Sequence, residues 1–271
     1  RPFFNNFRHL GIDIRETPDR MTEELDMYVS KDEYIPGLPL GNVAQIMVLL
    51  EAAVFAALFV IFPLWKFKSD GIRTKPQKLS LFYFLSLGAG FIWVEIVLLK
   101  VFVLFMGSPV YSIAVVLFAM LIFAGLGSAY SERLRGDVKR KLTLVGSAIA
   151  VLVLSVAFLY PHIFQQLLVL PFPIRVISAV ALMAPVGFIL GMPFPIGLSV
   201  LAKSSPDSIP WAWAMNGYAT VVGISLATLL SMQIGFKMLL VCAMIAYFFG
   251  FLALLACGRN GWRLEAADRR I

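Results

Sequence analysis

Glu51 and Glu95 are the residues of this chain whose type and placement could do chemistry, because each lies inside a long apolar run. Burying a carboxylate in hydrocarbon costs at least a few kcal/mol, so such a group must face protein, water or a partner, or carry a proton. Intramembrane carboxylates serve as proton relays or cation sites; equally, they fix helix packing through a lysine or a backbone group. Each glutamate lies about nine residues from the outer end of its run, or about 13 Å deep at 1.5 Å per residue. Shared depth lets the two meet. We therefore expect Glu95 to face the interior, toward the first span, with Glu51, Lys100 or a polar backbone group as its nearest partner. Lys100 is shallower and reads as a snorkelling residue at the outer interface.

A second constellation is Gly191-Met-Pro-Phe-Pro-Ile-Gly197, followed after a polar loop by Pro210-Trp-Ala-Trp-Ala-Met-Asn216-Gly217. Pro193 and Pro195 are expected to end a span in extended backbone, leaving carbonyls without donors. Trp211 and Trp213 fit an interfacial belt. Asn216, about one turn inside, is placed either to bond those carbonyls or to form part of a polar substrate site.

Other chemistries are excluded by residue usage. His9 and His162 are the only imidazoles and neither is central to a span, which argues against a bis-histidine haem and a histidine-based metal centre. Cys242 and Cys257 lie about 22 Å apart along one helix and read as small core residues. There is no P-loop. Gly88-Ala89-Gly90 resembles the start of a nucleotide-binding turn but lacks the third glycine and sits within an apolar span. Gly88 and Gly90 are better read as close-packing positions, as are the pair Gly187 and Gly191 and the cluster Gly125, Gly127 and Ser128. No catalytic set, metal site or cofactor turn can be assembled from these residues.

The elements that must position these groups are apolar helices. Residues are 60% hydrophobic and 14% charged, with mean hydropathy +0.85. A bilayer core about 30 Å thick needs about 20 apolar residues in helix. Spans read as 42–65, 79–104, 111–130, 142–160, 174–192, 211–232 and 235–257. The first looks clean, and 162–170, bracketed by prolines, is too short to cross and should lie along the membrane surface. The fold class is an all-α polytopic transmembrane bundle of about seven spans, preceded by a short acidic soluble segment. Lys66, Lys68, Arg73, Lys75 and Lys78 fill the first loop, and Arg133, Arg135, Lys139, Arg140 and Lys141 the third. With Lys203 and the tail arginines they fall on one side, which the positive-inside rule makes cytoplasmic. The net charge of +7 is then topology and contact with anionic lipid, with no reason to invoke nucleic acid.

Three regions follow: 1–41, 42–257 and a basic cytoplasmic tail, 258–271. In the first, Thr17-Pro18-Asp19 reads as a helix start and Ile35-Pro36-Gly37-Leu38-Pro39 as an extended approach to the membrane. Opening on Arg1, the sequence reads as the lower part of something longer.

Five segments occur in order: Leu87-Gly-Ala-Gly-Phe-Ile-Trp-Val-Glu95-Ile, Gly107-Ser-Pro-Val-Tyr111, Gly125-Leu-Gly-Ser128, Gly191-Met-Pro-Phe-Pro-Ile-Gly197 and Trp211-Ala-Trp-Ala-Met-Asn-Gly217. Together they resemble the C-terminal membrane region of bacterial spermidine-synthase-like membrane proteins, described as transporter-like/spermidine synthase fusions. Arg1-Pro2-Phe3-Phe4 resembles the junction after their soluble domain. The resemblance implies a bacterial inner-membrane location and an upstream Rossmann-like domain of the S-adenosyl-methionine-binding type. That cofactor would belong to the absent domain and none to this chain, so no catalytic residue carries over. A domain using a cytosolic cofactor should lie inside, whereas seven spans place Arg1 outside.

Three functions fit these residues. The first is a non-catalytic membrane anchor or scaffold, or a subunit of a larger membrane complex, whose partners are lipid, the upstream domain or other subunits. The second is a transporter or proton- or cation-coupled carrier centred on Glu95. The third is the membrane floor of an aminopropyl- or methyl-transferase site completed upstream. The topology itself is testable: in a chain lacking Cys242 and Cys257, Ser30→Cys and Arg73→Cys should be labelled by an impermeant maleimide from opposite sides. Labelling of both from one side would overturn the seven-span arrangement.

Overall fold

The computed structural model describes residues 40–268, so the readings made for 1–39 lie outside it. All regular structure among these residues is helical, as hydrocarbon requires of a chain that must satisfy its own backbone. The helices are α1 (Leu40–Ala56), α2 (Phe62–Phe67), α3 (Lys75–Met106), α4 (Pro109–Ser131), α5 (Val138–Phe158), α6 (Tyr160–Leu167), α7 (Phe172–Leu190) and α8 (Pro193–Ser204). The continuous stretch Ile209–Asp268 divides at Gly235 (φ 80°, ψ 168°) into α9 (209–234) and α10 (236–268). Six stretches are long and apolar enough to cross a membrane, and seven once the last is divided at Gly235. The chain is a multi-pass membrane bundle.

The central helix is α3, which packs most extensively on α9 and α10, while α4 pairs with α7. It is longer than its apolar run because its caps lie outside that run. Thr74 and Gln77 form a reciprocal capping box, with the Thr74 N–H donating to Gln77 Oε1 at 2.9 Å, and Gly107 closes the other end in the left-handed region (φ 74°). Tyr83, Phe84, Leu98 and Phe102 along it are fully buried.

Two sequence expectations need correction. The first span is interrupted by a π-turn, Ala57–Ile61, between α1 and α2. Pro63 supplies the reason: it cannot donate to the fourth carbonyl before it and its ring crowds that turn, which a wider turn relieves. Pro193 and Pro195 do not end a span in extended backbone. Gly191 (φ −74°, ψ −17°) and Met192 (φ −77°, ψ −38°) make one tight turn, and Pro193 then opens α8, where a missing N–H costs nothing. The proline-bracketed stretch is, as its length requires, a short helix that does not cross, α6, whose Phe164 stacks on Phe105 with centroids 4.4 Å apart and meets Phe102 edge-on at 5.0 Å.

Loops assigned to one side do lie together. The Trp211 indole N–H donates to the Lys68 carbonyl at 2.6 Å and the Ser208 hydroxyl to the Gly71 carbonyl at 2.8 Å. At the other end, Arg175 donates to the Phe105 carbonyl at 3.1 Å, and Tyr111 meets Phe172. The four crossings between Gly71 and Ser208 have the parity that these pairings need.

Close helix approach depends on small residues at two crossings. A Cβ at Gly127 would collide with the Phe188 carbonyl, and one at Gly191 with the Ala124 carbonyl, so α4 and α7 touch backbone to backbone. Gly187 lies against Phe123 in the same seam, Gly88 against the Asn216 carbonyl, and Gly90 under the Tyr247 ring. Gly125 does not belong with them: a Cβ there would meet nothing within 4 Å. We expect Gly127→Ala to cost about 1–3 kcal/mol by overpacking and Gly125→Ala to be neutral or slightly stabilising. Unfolding by denaturing detergent in mixed micelles measures both.

Candidate functional site

The face of α4 that turns Gly125 outward also carries Leu117, Leu121 and Ser128, which recur every three or four residues and so share one stripe. Opposite it, α3 presents Leu87, Gly88, Phe91 and Glu95, and α9 presents Trp213, Asn216 and Thr220. Between them is a cavity of about 670 Å³, with Tyr247 of α10 in its wall and Phe194 and Pro195 of α8 at one end. Its mouth is lateral. Leu121 is 75% exposed and Trp213 60% exposed, although both lie within apolar helices.

Polar groups in this groove divide into those already bonded and those free. Asn216 donates from Nδ2 to the Phe84 carbonyl at 3.3 Å, and Thr220 from Oγ1 to the Asn216 carbonyl at 2.9 Å. One Asn216 N–H and the Thr220 hydroxyl proton thus bind backbone, and the second Asn216 N–H and its Oδ1 have no hydrogen bond among the described residues. The Tyr247 hydroxyl is buried, with its residue 3% exposed, and has no hydrogen-bond partner among the described residues. Glu95 lies close enough for its charge to act on that hydroxyl, but the two are not hydrogen-bonded. No lysine, arginine or histidine lines the cavity.

The expected partnership of Glu95 is therefore corrected. Among the described residues Glu95 has no ion pair and no hydrogen bond, and it turns toward the groove between α3, α4 and α9, which contains no residue of α1. Glu51 is exposed on the outer face of α1, because Leu49, Ala52, Ala53 and Ala56 occupy the inward positions of that helix. Lys100 is exposed near the outer end of α3. Shared depth was a poor guide, since it fixes height and says nothing of angle. Asn216 bonds the Phe84 carbonyl of α3, not the carbonyls beside Pro193 and Pro195; the Pro193 carbonyl is taken by Tyr83 instead. Ser80 Oγ and Cys257 Sγ lie 3.3 Å apart in a buried contact, and Cys242 is half-buried.

Tyr247 and Thr220 were missed in the sequence. Thr220 was detectable, four residues after Asn216 and so on its face. Tyr247 had no local signal, since only its packing on Gly90, distant in sequence, brings it to Glu95. The lining residues bring a carboxyl, an amide and hydroxyls into an otherwise apolar groove, groups that can hold a polar ligand.

An unpartnered carboxyl leaves nothing unsatisfied when it is removed. Glu95→Leu and Tyr247→Phe should each leave the unfolding free energy unchanged or raise it by about 1 kcal/mol. Asn216→Leu, which breaks an interhelical hydrogen bond, should cost about 0.6–1.7 kcal/mol. A Glu95→Leu loss larger than the Asn216→Leu loss, in the same detergent titration, would mean that the carboxyl holds the bundle together.

No family model matches this chain, and no curated protein or solved structure matches it.

Proposed function

We propose that this chain is a non-catalytic integral membrane module: the anchor and scaffold of a spermidine-synthase-like membrane protein of a bacterial inner membrane, seated beside another membrane subunit. The observation that carries this reading is the outer face of α1. That helix and its continuation through α2 are only 6% buried over their most apolar window, whereas α3 is 44% buried. Met47, Val54, Phe55 and Leu58 form an exposed apolar stripe, and Glu51 sits within it. Lipid satisfies the stripe but not the carboxyl, whose burial in hydrocarbon costs a few kcal/mol. A neighbouring transmembrane helix offering a cation or hydrogen-bond donor at that depth satisfies both. The ordered motifs from Leu87 to Gly217 support the family part of the reading. A second reading, a carrier centred on Glu95, draws its support from the unpaired carboxyl in the lateral groove.

Photo-cross-linking groups placed at Phe55 and Phe59 in native membranes test the scaffold reading. They should give an adduct with a second polypeptide, and Glu51→Leu should lower its yield by about 3–20-fold, the value of one interhelical hydrogen bond. Adducts to lipid alone would overturn it.

A further inference from the structure

We propose that the groove between α3, α4 and α9 is a binding site for a single-chain amphiphile with a primary ammonium head, entering sideways from the bilayer. Hydrogen-bonding roles remain open in the groove: Thr220 has its one donor on a backbone carbonyl, while Asn216 has only one of its two amide N–H groups so engaged. Glu95 offers two acceptors, and the buried Tyr247 hydroxyl stands unpartnered among the described residues. A wall with one carboxyl and no cationic side chain selects against carboxylate and phosphate heads. An ammonium brings three N–H donors and a positive charge, which Glu95 neutralises, with the nearby Tyr247 Oη as a further acceptor.

The rest of the groove specifies the tail. Phe91, Leu117 and Leu121 continue outward from the polar end, and the α4 stripe from Leu117 to Ser128 runs about 16 Å. Trp213 and Phe194 meet edge-on, with centroids 4.6 Å apart, and form an aromatic border at the far end. An alkyl chain buries against these residues, whereas a polyamine without a tail has too many charges for one carboxyl. The mouth lies within apolar helices, so the route in is through lipid.

Dodecylamine carrying a diazirine in its chain, added to the full chain in phosphatidylcholine nanodiscs, tests this assignment. Labelling should saturate and map to Leu117, Leu121 or Phe91. Unlabelled dodecylamine should compete, and dodecanol, dodecanoate and spermidine should compete at least about tenfold less well, the value of a charge-assisted pair. Glu95→Gln, which keeps the shape, should lower saturable labelling about tenfold, and Tyr247→Phe about three- to tenfold. Gly125→Leu gives a variant with polar groups and packing intact, because its side chain enters open groove; it should abolish labelling while melting like the parent. Labelling that dodecanol displaces as well as dodecylamine, or that survives both Glu95→Gln and Gly125→Leu, would overturn the proposal. The Glu51 experiment is independent, since Glu51 lies outside the groove and either result can fail alone.

Discussion

In an apolar surrounding the carbonyls of neighbouring helices are the acceptors within reach of a buried donor, and this shortage organises the bundle. Apart from Ser80 with Cys257, the hydrogen bonds between distant parts of the described chain are made by a side chain reaching a backbone carbonyl, among them Gln45 to Ser225, Tyr83 to Pro193, Tyr160 to Leu182, Asn216 to Phe84 and Trp211 to Lys68. Each such bond needs the two helices near enough for a side chain to span the gap, and so needs small residues at the crossings. Small residues alone do not close a crossing: Gly127 and Gly191 meet a carbonyl of the facing helix, whereas Gly125 and Ser128 line the groove beside Glu95.

The bundle was largely legible in the sequence. Apolar length marked the spans, and the alternating Lys and Arg loops anticipated that 66–78 and the approach to Trp211 share a side. What misled was proline. Pro193 with Pro195 was read as a terminus, although proline is disruptive only where the preceding turn has a carbonyl to lose. At Pro193 a new helix begins and no such carbonyl is lost; at Pro63 the turn widens instead. Helix ends that lay in polar sequence, such as the Thr74–Gln77 box, were passed over because hydropathy does not register them.

The site was legible only in part. Glu95 and Asn216 announced themselves as polar residues in apolar runs, and both line the groove. Their relation to each other, and to Tyr247, depends on rotation about three helix axes, which a depth calculation does not contain. Glu51 shows the same gap from the other direction. Its alanine neighbours are the inward face, on the opposite side of α1 from the carboxyl.

The π-turn at Ala57–Ile61 has a consequence for how this helix tolerates insertions and deletions. Such a turn holds one residue more than the α-helical path needs, and each residue is worth about 100° of rotation. Loss of one residue there would restore ordinary winding and leave the two flanking halves in phase, with Leu49 and the alanines still inward and the Glu51 stripe still outward. The same loss within the regular winding between Glu51 and the turn would rotate the Glu51 stripe by about 100°. The extra residue is thus a place where the first helix can change length without changing the face it shows the membrane.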